Sequence, residues 1–227
     1  MTLRIIIYAF IPALFIASLF YVFDKNKEPF RIILRAFALG IVSVILIPVL
    51  YYFNPIESRA IPGSLEAALI HAFYFAAFLE EISKFFVFLL GLYFIKDFDE
   101  WYDGILYGVL IGLGFAFIEN IIYYFDYLVS DGFNIVIGRS LFSMPLHALV
   151  GGVMGYFIGK AKFTLRESLV PWWLFLAFFI PFLIHGIYDF LLMYKKLNLG
   201  LLASALVFYM WIKVLKLKKV TQSGSII

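Results

Sequence analysis

Glu80, Glu81 and Lys84 interrupt the otherwise apolar stretch FAAFLEEISKFF at residues 75–86. Similarly apolar surroundings hold Glu119 and Asn120 in FAFIEN, His147 in PLHALV, and His185 and Asp189 in HGIYD. Carboxylates and imidazoles can take a proton from water, hold a divalent metal or steady a developing oxyanion. Glu80 and Lys84 stand at i and i+4 with the glutamate N-terminal, the favourable orientation for a helical ion pair. Glu81 is turned about 100° away by the helical repeat. The spacing therefore predicts that Lys84 pairs with Glu80 and leaves Glu81 as the less compensated carboxylate, the first to test as a base. His185 and Asp189 are again i and i+4, which places Asp189 to orient the imidazole or to add a ligand.

The elements that must position these groups are membrane helices. The chain has 227 residues, 64% hydrophobic and 21% aromatic, with a mean hydropathy of +1.00; ordinary soluble domains are roughly 45–50% apolar. Apolar runs of about 20 residues, enough to cross a hydrocarbon core of roughly 30 Å, recur from end to end and leave no room for a separate soluble domain. Charges, Pro and Gly punctuate seven spans, near 3–23, 31–53, 65–95, 102–129, 140–160, 171–193 and 198–216. The first is too long for a signal-peptide core of about 7–15 residues and is read as a mature span. Strand-like alternation is absent, and an unclosed sheet in lipid would leave backbone groups unpaired. The expectation is one all-α polytopic bundle over 1–227, with its motif-bearing core at 65–193.

Seven spans put three loops on the side of the C-terminal tail. That side carries Lys25, Lys27, Arg31, Lys96, Lys160, Lys162, Arg166, Lys213, Lys216, Lys218 and Lys219, against Arg4, Arg59, Arg139, Lys195 and Lys196 on the other. The excess predicts a cytoplasmic C-terminus, with the terminal lysines meeting anionic lipid heads. The net charge of +3 forms no nucleic-acid patch, and the absence of cysteine excludes disulfides, thiolate metal sites and thiol nucleophiles.

Each ionised side chain at mid-membrane costs about 2.5–3.5 kcal/mol on insertion scales, so the charged groups should meet one another. Glu80 lies about 22 Å into its span at 1.5 Å per residue. Glu119 and His185 fall at similar depth on their own spans, with His147 somewhat nearer the outer surface. Gly104, Gly108, Gly112 and Gly114, then Gly151, Gly152, Gly155 and Gly159, have the spacing that lets membrane helices approach closely. His71 reads as an interface residue and Asp103 as a helix cap.

Taken together, the motifs resemble the PrsW family of intramembrane proteases. They are Glu80-Glu81-x-x-Lys84; Tyr102-Asp103-Gly104 leading to Gly114-Phe115-x-x-x-Glu119-Asn120; Gly138-Arg139 to Pro145-x-His147 with Gly155-Tyr156; and His185-Gly186-x-x-Asp189-Phe190. The family's wider group includes the type II CAAX prenyl endopeptidases and the scaffold subunit of gamma-secretase. The resemblance implies an endopeptidase making the first cut in a single-span, membrane-anchored anti-sigma factor, which starts release of a stress sigma factor. It casts Glu80 or Glu81 as the base that activates water, Glu119, His147 and His185 as partners, and Lys84, Asn120 and Asp189 as support. It also implies a divalent metal such as zinc, held by His147, His185 and Glu119, with a metal-free glutamate mechanism as the alternative. Phe115-x-x-x-Glu119 departs from the F-x-x-x-H of the CAAX-type enzymes, which removes one imidazole from that set. Three other readings stay open: a proton-coupled transporter or channel, a noncatalytic scaffold, and buried ion pairs that only lock a bundle.

Overall fold

The structure, a computed structural model, describes residues 2–53, 55, 60–126, 132–194 and 200–222. Arg59, Lys195 and Lys196 of the charge comparison lie outside the described residues, as do the side chains of Arg4, Lys218 and Lys219. The chain is helical in nearly all its described length. Helix α1 is Thr2–Phe23 and α2 is Phe30–Phe53; α3, Leu65–Leu69, runs through a π-helical stretch, Ile70–Phe78, into α4, Leu79–Gly91. Then come α5 (Trp101–Asp126), α6 (Gly132–Leu141), α7 (Ser143–Phe163), a 3₁₀ turn (Glu167–Leu169), α8 (Val170–Met193) and α9 (Gly200–Gln222). Among the described residues there is no strand. Phe30–Phe53, Trp101–Asp126, Asn134–Phe163 and Glu167–Met193 are long and apolar enough to cross a membrane, and Ile7–Phe23 and Gly200–Val214 are shorter apolar helices.

Helix α5 is the axis of the bundle, buried between α2 and α7 along most of its length. Glycine makes this possible. A methyl group at Gly104, Gly108 or Gly112 would strike the carbonyl oxygen of Gly155, Gly151 or His147, and one at Gly114 would strike that of Phe37. The α5 and α7 backbones are therefore in direct contact, as the sequence led us to expect. Large apolar side chains such as Phe15, Leu90, Phe94 and Leu201 point outward, as a bilayer-facing surface requires.

Two features differ from the expectation. Residues 132–139, left between the fourth and fifth spans, form α6 together with Ser140 and Leu141, the first residues of the expected fifth span, and the helix breaks at Phe142 before α7 begins. Nine residues before Glu80 follow a π rather than an α register. A π-helix bonds i to i+5, and nothing in the apolar string IHAFYFAAF marks that choice. The segment starts where expected: Gly63 takes a positive φ of 79°, and the Ser64 hydroxyl accepts from the Ala67 amide at 3.1 Å.

One end of the bundle is tied by polar contacts. Asp103 caps α5, accepting from the amides of Asp99 and Glu100 at 3.0 and 2.8 Å, in agreement with its sequence reading. Tyr102 donates to the Phe20 carbonyl at 2.6 Å and Tyr107 to Glu28 at 2.7 Å, while Arg31 pairs with Asp97 at 2.9 Å. Burial pushes the Glu28 carboxyl above its usual range, opposed by the Tyr107 hydroxyl and reinforced by nearby Asp24 and Asp97. A carboxyl raised in the folded state favours folding below its unfolded value near 4.3, and that contribution is lost as pH rises through the folded value. Glu28→Gln keeps an acceptor for Tyr107 and removes this titration. Thermal unfolding in detergent between pH 5 and 8 should show a flatter decline with pH for the variant than for wild type.

Candidate active site

Helix α4 carries Glu80, Glu81, Ser83 and Lys84, all buried, because α4 lies against α2 and α8 with the polar face inward. The π-helical stretch ahead of it packs on α8, and a methyl at Gly186 would collide with the Phe73 ring. That notch lies one residue after His185 and brings its imidazole up to α4. The tight α5–α7 contact does the same for His147, whose carbonyl faces Gly112.

Glu81 and Lys84 form the centre. Lys84 Nζ donates to Glu81 Oε1 at 2.7 Å and to His147 Nδ1 at 3.0 Å, and lies 3.9 Å over the Phe115 ring. Its contact with Glu80 is longer, 3.5 Å. The expected pairing is thus corrected: Lys84 serves Glu81 first, and Glu80 is the more loosely held carboxylate. The reason is tertiary. On a helix i+3 is as reachable as i+4; Lys84 also reaches His147, and His185 is bonded to Glu81, so the tertiary contacts favour the Lys84–Glu81 pair.

Both nitrogens of each imidazole are engaged. His147 accepts from Lys84 at Nδ1, so its proton sits on Nε2, which meets Glu119 Oε2 at 2.9 Å. His185 Nδ1 lies 2.8 Å from Glu81 Oε1, and its Nε2 lies 3.3 Å from Asp189 Oδ2 and 3.9 Å from Glu80 Oε2. The two rings meet edge to face at 5.0 Å, so His147 belongs to the same layer as His185. Glu80, Glu81, Glu119, His147 and His185, named from sequence, are brought together; Asp189 stands behind His185 as read.

Arg139, within the Gly138-Arg139 motif, carries no site role in the sequence reading. Counted from sequence as a loop charge, it instead sits on α6 and pairs with Glu119. It also donates from Nε to Asn120 Oδ1 at 3.0 Å and lies 3.9 Å over the Tyr123 ring. The available signal was charge balance, since Glu119 had no assigned cation. Asn120 extends the tie toward Ser140 at 3.4 Å, whose hydroxyl donates to the Tyr8 carbonyl at 3.2 Å. His71 is exposed beside Phe75, away from the cluster, as expected of an interface residue.

The family profile described as PrsW family intramembrane metalloprotease matches residues 28–216. The chain belongs to the PrsW family. Curated relatives named Protease PrsW include one from Bacillus subtilis, 35% identical over 92% of this chain and 91% of the relative. One from Oceanobacillus iheyensis is 40% identical over 80% and 79%, and one from Clostridioides difficile 32% identical over 96% and 92%. No solved structure matches the chain. This chain is therefore a membrane protein and a protease, a PrsW enzyme whose family description as metalloproteases raises the question of an ion.

The PrsW site has the donors for one. Glu80, Glu81, His147 and His185 each offer an atom within 4.8 Å of the others, and Glu80 Oε2 and Glu81 Oε2 are buried without a hydrogen-bond partner. Mixed imidazole and carboxylate donors suit zinc. Glu119 is not part of this group; its Oε2 lies 2.9 Å from His147 Nε2, where a carboxylate can orient the ring. Such orienting carboxylates, and what holds them, matter nearly as much as ligands. Arg139→Ala should lower cleavage about 10–100-fold and lower the melting temperature in detergent. Unchanged values for both would remove Arg139 from the site.

Proposed function

We propose that this PrsW-family protease makes the first cut in a single-span, membrane-anchored protein such as an anti-sigma factor, with Glu80 as the base that activates water. The observation carrying this reading is the convergence of Glu80, Glu81, His147 and His185 from three helices. In that group Glu80 is held only by contacts of 3.5 and 3.9 Å, too long for good hydrogen bonds. Glu81, fixed at 2.7 and 2.8 Å by Lys84 and His185, serves as the anchor.

The substrate must unwind locally, because an intact helix keeps its scissile carbonyl in intrahelical hydrogen bonds. Glu80 then takes a proton from water as the water oxygen bonds to the carbonyl carbon. His185, held at Nδ1 by Glu81, turns its Nε2–H from Asp189, 3.3 Å away, to the oxyanion. The proton held by Glu80 passes to the amide nitrogen, the C–N bond breaks, and the new carboxyl and amino ends separate. Glu119, held by Arg139, keeps His147 in the tautomer that faces Lys84. A divalent ion such as zinc, held by Glu81, His147 and His185, would keep an open position to polarise the scissile carbonyl and leave Glu80 as the base; a glutamate mechanism without it uses the same residues. The Lys/Arg asymmetry supports a cytoplasmic C-terminus, and the likeness to PrsW proteases implies a cut on the extracytoplasmic side.

Purified Glu80→Gln and Glu81→Gln proteins, assayed on a single-span reporter with products read by mass spectrometry, test the assignment. Glu80→Gln should keep its melting temperature and lose about 10²–10⁴ in kcat, while Glu81→Gln should lose both activity and stability. Full cleavage by Glu80→Gln would overturn the base assignment. Comparing membrane proteomes of cells carrying wild-type protein and Glu80→Gln should show the uncut substrate accumulating; an anti-sigma factor is the expected protein.

A further inference from the structure

Two concavities lie near the site, and they differ in chemistry. One, about 530 Å³, lies between the end of α2, the π-helical stretch and α4, and is lined by Leu50, Phe78, Leu79, Ile82 and Phe86, with Tyr74 at its edge. The other, about 300 Å³, lies between α6, the start of α7, the end of α8 and the start of α9. Its wall includes Arg139, Ser143, Tyr188, Asp189, Ala203 and Ser204. Arg139 and Asp189 are the partners of Glu119 and His185, so this cavity opens directly behind the reactive cluster.

We propose that the cavity between α6, α7, α8 and α9 is the subsite that receives the unwound stretch of the substrate flanking the scissile bond. This rests on the protease reading above. Two arguments carry it. Unwinding a membrane segment frees backbone N–H and C=O groups that lipid cannot satisfy. The cavity offers a guanidinium, a carboxylate and hydroxyls at that depth, whereas the α2–α4 groove is almost wholly apolar. Shape agrees: the wall is drawn from α6, α7, α8 and α9 rather than from one helix face, so an extended strand can meet polar groups on more than one side. Arg139 donates to substrate carbonyls and Asp189 accepts from substrate amides. Gly138, in the same wall, has open space around it, since an added methyl would meet nothing within 4 Å, and leaves room for a side chain of the strand.

The natural chain has no cysteine, which makes a crosslinking test clean. Single cysteines are placed at Gly138 or Ser204, and for comparison at Ile82 or Phe86, in a Glu80→Gln background that leaves substrate uncut. Each is combined in membranes with a single-span reporter carrying one cysteine, scanned through every position of its span, and treated with a bismaleimide. The expected result is crosslinking from Gly138→Cys and Ser204→Cys to a run of two or three reporter positions beside the bond that the wild-type enzyme cuts. Crosslinks to that run from Ile82→Cys or Phe86→Cys alone, or none from the cavity positions, would overturn the proposal. A second measurement uses Ser204→Trp, which fills the cavity from a half-exposed position. Its KM should rise at least tenfold with an unchanged melting temperature; an unchanged KM in the folded variant would also overturn the proposal. Absence of any wild-type product would instead count against the protease mechanism, whatever the crosslinks show.

Discussion

An amino group held between a carboxylate and an imidazole, buried within the bundle, is the interaction on which the rest of this structure depends. Lys84 joins Glu81 on its own helix to His147 on α7, and Glu81 joins His185 on α8. Taking each ion out of water costs several kcal/mol, and attraction to one partner repays this only when further hydrogen bonds complete the set. At an effective dielectric near 20, two unit charges 4 Å apart attract by about 4 kcal/mol, so a lone pair would do little better than break even. The observed arrangement gives Lys84 and Glu81 each a second strong partner. Glu80 lacks this, and a carboxylate left loosely held beside a tightly held one is what a hydrolytic site requires.

Such contacts need helices closer than their side chains would ordinarily allow. Glycines in α5 and α7 provide it, setting backbone on backbone so that His147 reaches across to α4. The Gly186 notch filled by Phe73 does the same for α8. Arg139 on α6 completes the assembly by holding Glu119. The same packing that lowers the energy of the buried charges thus also sets their geometry, and the link from sequence to function runs through small residues as much as through charged ones.

Much of this was legible from the residues. Lipid restricts a chain to helices or closed barrels, so apolar runs gave the helical bundle, and the high cost of isolated charge implied that Glu80, Glu81, Glu119, His147 and His185 would meet. Less legible were features decided by tertiary contact. The i+4 spacing favoured Glu80 as the partner of Lys84, yet the histidines drew the lysine toward Glu81. Arg139 looked like a loop charge because α6 is short and mixed in character, and the π register ahead of Glu80 has no mark in an apolar string. Local spacing says which residues can pair; neighbouring helices decide which do.

The most direct test of this account is a double-mutant cycle on the central pair, measuring unfolding free energy in detergent for wild type, Lys84→Met, Glu81→Gln and the double variant. If the pair is the keystone, each single change leaves a buried group unmatched and costs about 3–5 kcal/mol, and the double variant is more stable than either single one. Additive losses, with the double variant the least stable of the four, would contradict it.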